Sequence, residues 1–135
     1  MPGYGNSSKK VDALKLLALI YSQNSELEKA KTAYAEARKL APNDEELKQG
    51  EFQIYYNSGY AKLADEQKIV DEINNSRSDK KKYDELVSKR KEIFTKALPF
   101  FEKAYQVKPT DENTKNVLKI TYETLGQPEK AKAIN

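Results

Sequence analysis

The side chains able to do chemistry in this 135-residue chain are carboxylates, amides, lysines, arginines and tyrosines, because it contains neither histidine nor cysteine. That removes the commonest general base, the commonest metal ligand, every Ser-His arrangement, the thiol nucleophile and the zinc-thiolate site together. Carboxylates are plentiful, yet none stands in the D-x-[DN]-x-[DN]-G spacing of a calcium loop. The Gly3 and Gly5 pair follows no strand that would turn it into a phosphate cradle. Catalysis, a bound metal and a cofactor are therefore not expected. The strongest charge feature is basic: between Arg77 and Lys91 seven basic residues, led by Arg77, Lys80, Lys81 and Lys82, face three acidic ones. Such a cluster can meet phosphate or an anionic lipid surface. Tyr83 is its one interleaved aromatic, so base stacking is poorly served and nucleic acid is not the expected partner. A charged face that keeps a projecting element soluble explains the same residues.

The elements that must carry these side chains repeat. Ala30, Tyr34, Ala37 and Pro42 return 67 residues later as Ala97, Phe101, Ala104 and Pro109. Tyr21, Tyr55 and Tyr122 are each followed four residues later by Ser25, Gly59 or Gly126, at intervals of 34 and 67. A unit of 34 residues therefore occurs three times, at about 11–44, 45–111 and 112–135, and the middle one is too long. From Gly59 to Ala97 there are 38 residues where an unbroken unit has 5, an insertion of 33 residues between 60 and 96.

The first unit predicts two helices: one with Leu14, Leu17, Ala18 and Tyr21 on a single face, the next opened by a capping box of Ser25 with Glu28. In the third, Thr110 is the expected N-cap, and Pro128 opens a short second helix. The insertion reads as two further helical stretches. Tyr56, Tyr60, Leu63, Gln67, Val70 and Ile73 form one coiled-coil-like stripe; Tyr83, Leu86, Arg90, Ile93, Ala97, Phe100 and Ala104 form the other. The turn chemistry of residues 74–79 lies between them, with Ser78 or Asp79 as the next cap. A hairpin lengthened by about 16 residues per helix would project roughly 24 Å. Pro99 inside the returning helix predicts a kink.

This pattern resembles the tetratricopeptide repeat family over residues 11–134. The runs YYNSG, KALPFFEKA and PTDENT also look, more loosely, like bacterial envelope members of that family with a lengthened repeat. The resemblance implies an all-α, helix-turn-helix solenoid of three repeats, the second extended into a long antiparallel hairpin. It further implies a non-catalytic protein- or peptide-binding scaffold with a concave groove. Carried onto this sequence, the groove would display Lys15, Leu19, Gln23, Gln49, Gln53, Tyr56, Asn57, Asn113, Asn116 and Ile120. The amides among them suit an extended peptide backbone, which needs both donors and acceptors. The family's carboxylate clamp matches at Lys15 alone, since Leu19, Gly50, Asn113 and Val117 hold the wrong residues, so a receptor for peptide C-termini is not expected. The alternative role is a structural or self-associating subunit acting through the helical arm and the C-terminal end. There, Val117, Leu118, Tyr122 and Leu125 have only a short last helix to cover them, and a homodimer through that end is the expectation that follows.

Residues 1–7 are polar and expected to be disordered, with no apolar core of a secretory signal, and the longest apolar run, 13–21, is too short to span a bilayer. A soluble chain follows. Its compartment is left open between the cytoplasm and, where a signal has been removed, the bacterial envelope.

Overall fold

The computed structural model describes the backbone of residues 2–134 and the side chains of residues 9–134. Among the described residues there are seven helices and no strand: α1 (Pro2–Gln23), α2 (Leu27–Leu40), α3 (Glu45–Lys62), α4 (Glu66–Asn75), α5 (Lys80–Val107), α6 (Glu112–Thr124) and α7 (Pro128–Lys132). The chain is all-helical and built on a helical repeat. It forms two compact units, Met1–Tyr55 and Tyr56–Asn135, with the boundary inside α3.

Unit 1 is α1 packed on α2 with the first part of α3. Val11, Leu14 and Ala18 of α1 meet Ala30, Tyr34 and Ala37 of α2, and Leu47 and Ile54 of α3 complete the core. The small residues permit close approach: a Cβ added at Gly50 would lie 2.5 Å from the Tyr34 ring. In unit 2 the long α5 packs against both α4 and α6. Ala97 and Phe101 of α5 share a core with Val117, Leu118 and Tyr122 of α6, closed by Ala131 and Ile134.

The 67-residue offset holds at the level of backbone hydrogen bonds. Ala41 and Lys108 end α2 and α5 in nearly the same conformation (φ −139 and −138), donating to Ala37 and Ala104. Pro42 and Pro109 follow. Asp44 and Asp111 then accept from the backbone N–H of Leu47 and Thr114 at 3.1 and 2.9 Å, capping α3 and α6. The cap of α6 is thus Asp111, one residue after the expected Thr110, because the carboxylate also accepts from the Thr114 hydroxyl at 2.8 Å. Asp79 caps α5 as the sequence suggests.

The capping box at Ser25 does not form. Ser25 sits in the left-handed region with φ 61, and α2 starts after Glu26 without a side-chain cap. The backbone needs that conformation so that the Glu26 N–H can close α1 onto the Tyr21 carbonyl at 2.8 Å. Gly126, φ 72, does the same after α6, where the Gln127 N–H reaches the Tyr122 carbonyl at 2.8 Å. Only glycine adopts this conformation without a Cβ penalty. Ser25→Gly should therefore raise stability by about 1 kcal/mol, read as a thermal midpoint a few degrees higher. An unchanged or lower midpoint would contradict the strain at Ser25.

Two further expectations are corrected. The outgoing arm is not one continuous helix: residues 63–65 turn through short-range bonds, Leu63 to Tyr60, Ala64 to Ala61 and Glu66 to Leu63. This rotates α4 so that Ile69, absent from the sequence stripe, becomes its buried residue. On α5 the buried line is Leu86, Phe94, Ala97, Phe101 and Ala104, not the line through Ile93 and Phe100. A straight helix drifts from a 3.5-residue repeat, and the packing follows the helix. α5 is helical on both sides of Pro99, which is exposed. The lost bond falls on a face where water can replace it. α1 begins at Pro2, within the segment 1–7, and a proline is tolerated in a first helical turn. Met1, the remaining residue of that segment, lies outside the described residues.

Candidate functional site

The clearest hollow in unit 2 has a volume of about 610 Å³ and lies among α3, α4, α5 and α6. Tyr56 and Tyr60 of α3, Phe94 of α5, and Val117 and Ile120 of α6 supply apolar surface. Asn113 and Asn116, one turn apart on α6, and Gln67 of α4 supply amides. Leu63 and Ala64 of the α3–α4 turn and Glu66 complete the lining.

The aromatic wall is braced from behind. Tyr60 packs on Tyr56 with ring centroids 4.8 Å apart, and meets Phe101 edge-on at 5.2 Å. Burial, with the Tyr56 hydrogen bond second, pushes the Tyr60 hydroxyl up to about 12, so it stays protonated at neutral pH. Glu66 is held by Arg90, whose Nε and Nη2 both lie 3.0 Å from its Oε1, and the guanidinium stacks over Phe94 at 5.1 Å. No lysine or arginine lines the hollow. It cannot grip a carboxylate by charge. It can hold apolar side chains and hydrogen-bond a neutral backbone.

Four of the ten expected groove residues, Tyr56, Asn113, Asn116 and Ile120, come together here. Asn57 lies in the same unit on the exposed side of α3, outside the lining. Five belong to unit 1. Lys15 is tied to Asp44 at 2.8 Å and Glu46 at 3.0 Å. These bonds raise its pKa and, acting first on the partner, lower that of Asp44, so Lys15 braces the start of α3. Leu19, Gln23, Gln49 and Gln53 are exposed on α1 and α3. The hollow of unit 1 is lined by others, Leu14, Leu17, Tyr21 and Ala33 among them.

The sequence reading missed Tyr60, Leu63, Gln67 and Phe94 as site residues. The first three stand in the 56–73 stripe, whose spacing was assigned to a coiled-coil seam; the break at 63–65 turns them into a wall instead. Of the basic arm tip, Arg77 precedes α5 and bonds Asn74 at 3.1 Å, Lys80 pairs with Asp84 at 2.7 Å, and Lys81 and Lys82 are exposed in the same first turn. The C-terminal end is not an open apolar patch. Of the four residues expected there, Val117, Leu118 and Tyr122 are buried, with α5 and α7 both packed on α6, and Leu125 is half-buried.

Residues 11–44 match the family model of the tetratricopeptide repeat, and these are α1, α2 and the capping turn into α3. The chain carries a tetratricopeptide repeat. Such a repeat suggests a protein-interaction scaffold. No curated protein matches the chain. Among the described residues no helix is long and apolar enough to cross a membrane.

Proposed function

We propose that the chain is a non-catalytic binding module and that the hollow of unit 2 is where it takes an extended peptide. The observation that supports this is the lining: aromatic and aliphatic walls, three neutral amides and no cation. An extended segment presents unpaired backbone N–H and C=O groups, which Asn113, Asn116 and Gln67 can serve in both senses. Tyr56, Tyr60, Phe94 and Ile120 then receive one apolar side chain. Specificity would rest on that side chain, not on a terminal charge.

Peptides selected from a random display library on the full chain provide the test. Tyr60→Ala should weaken the selected peptides by about 30-fold, the size expected for truncating a central aromatic anchor. Asn113→Ala with Asn116→Ala should cost roughly tenfold. Amidating the peptide C-terminus should change nothing. Binding that survives both sets of variants, or that requires a free carboxylate, would overturn the proposal.

A further inference from the structure

Large exposed aliphatic side chains concentrate on α1: Leu16, Leu17, Leu19 and Ile20. Ala13, Leu16, Leu17 and Ile20 fall within an arc of about 100° on the helix surface, and Leu19 lies outside it. We propose that this face docks an amphipathic helix of another protein, one that carries an alanine-and-aromatic stripe with a carboxylate beside it. The reading is independent of the hollow in unit 2.

Unit 2 contains a filled version of the same surface. Tyr21, Ser25 and Ala30 recur 101 residues later as Tyr122, Gly126 and Ala131, which maps the face onto Thr114, Val117, Leu118 and Thr121 of α6. Leu16, Leu17 and Ile20 are 59%, 42% and 41% exposed, whereas Val117, Leu118 and Thr121 are 7%, 1% and 0%. The difference is α5. Its Ala97 and Phe101 pack on the α6 face, and its Glu102 accepts a 2.6 Å hydrogen bond from the Tyr122 hydroxyl. The surroundings of that tyrosine are reproduced in unit 1: Lys29 lies 5.7 Å from the Tyr21 ring centroid as Lys130 lies 5.8 Å from that of Tyr122. A hollow of about 370 Å³ borders the face, lined by Leu14, Leu17, Tyr21 and Ala33 together with the polar Glu28, Lys29, Thr32 and Glu36.

The occupant follows from this internal template. It should present small and aromatic residues at the spacing of Ala97, Phe101 and Ala104, with an acid placed as Glu102 is. A second copy of this chain has no such helix to offer, because the α2 and α5 stripes are buried within their own units and α7 has five residues. Hence the template does not point to a second copy of this chain.

The probe is a fluorescent peptide with the sequence of residues 94–108 and Pro99 replaced by alanine, to raise the helicity of so short a segment. Titrated with the full chain, its anisotropy should saturate. Leu17→Glu and Ile20→Glu should each weaken binding at least about tenfold, the reach of a buried unpaired charge, and Leu19→Glu should not. Replacing Glu102 by glutamine in the peptide should weaken it several-fold. Should either charge variant lose its helical circular dichroism, the Leu17→Ala, Ile20→Ala double variant should show the same loss of binding. An absent response with the wild-type chain, or equal binding by the Leu17→Glu and Leu19→Glu variants, would overturn the proposal. A concentration-dependent dimer of the peptide-free chain, dissolved by Leu17→Glu, would overturn it in favour of a second copy.

Discussion

Gly59→Ala should destabilise the native chain by about 1–3 kcal/mol and stabilise a Phe101→Ala variant, a change of sign produced by one contact. A Cβ on Gly59 would stand 2.5 Å from the Phe101 ring, closer than any relaxed packing allows. Phe101 is fully buried at the junction of α5 with α6 and also braces Tyr60. It has no easy route aside. With the ring gone, the same methyl enters an empty space and brings the ordinary helical advantage of alanine over glycine, about 1 kcal/mol. Phe101→Ala alone should cost about 3–5 kcal/mol, enough to threaten a domain of ordinary stability. Phe101→Leu serves as the milder background should that variant not fold. Four denaturant titrations of wild type, both single variants and the double variant read the coupling directly. A harmless Gly59→Ala in the wild-type chain would show that the ring yields, and that this glycine is not there for close packing.

The same glycine shows what the sequence could and could not disclose. Tyr55 with Gly59 was legible as a repeat landmark, because interval and residue types are properties of the chain alone. At the corresponding places, 34 residues earlier and 67 later, Ser25 and Gly126 each end a helix in a left-handed turn. At Gly59 the helix continues to Lys62, and the missing side chain serves packing instead. Ser25 illustrates the opposite ambiguity: serine before Glu28 reads as a cap by local chemistry, yet the turn takes it for its backbone. The 67-residue offset survived down to single hydrogen bonds because prolines and capping aspartates act locally. The hollow did not survive as drawn. Its position depends on where α3 stops, and residues 63–65 contain neither glycine nor proline to mark the stop. Lys15 was assigned to the groove by position, but Asp44 and Glu46 reach it first.

Two leucines at the same place in the repeat should respond very differently to the same substitution. Leu118→Ala should cost about 2–5 kcal/mol, since the side chain is 1% exposed between α5 and α7 and its removal leaves a cavity. Leu17→Ala, at the equivalent position of α1, should cost under about 1 kcal/mol, because alanine is the better helix former and little is buried there. Denaturation midpoints of the two variants measure the contrast without any ligand. Equal costs would mean that the α1 face is already covered in the isolated chain. A large difference would mean that the repeat keeps leucine where its own unit gains almost nothing from it. Residue type at this position is then set by the pattern of the repeat, and its energy is released only when a helix lies across it. In α6 that helix is α5, part of the same unit. In α1 the stabilisation is available to whatever supplies an equivalent helix, which is how a scaffold of stacked helices can turn one of its packing faces into a recognition surface.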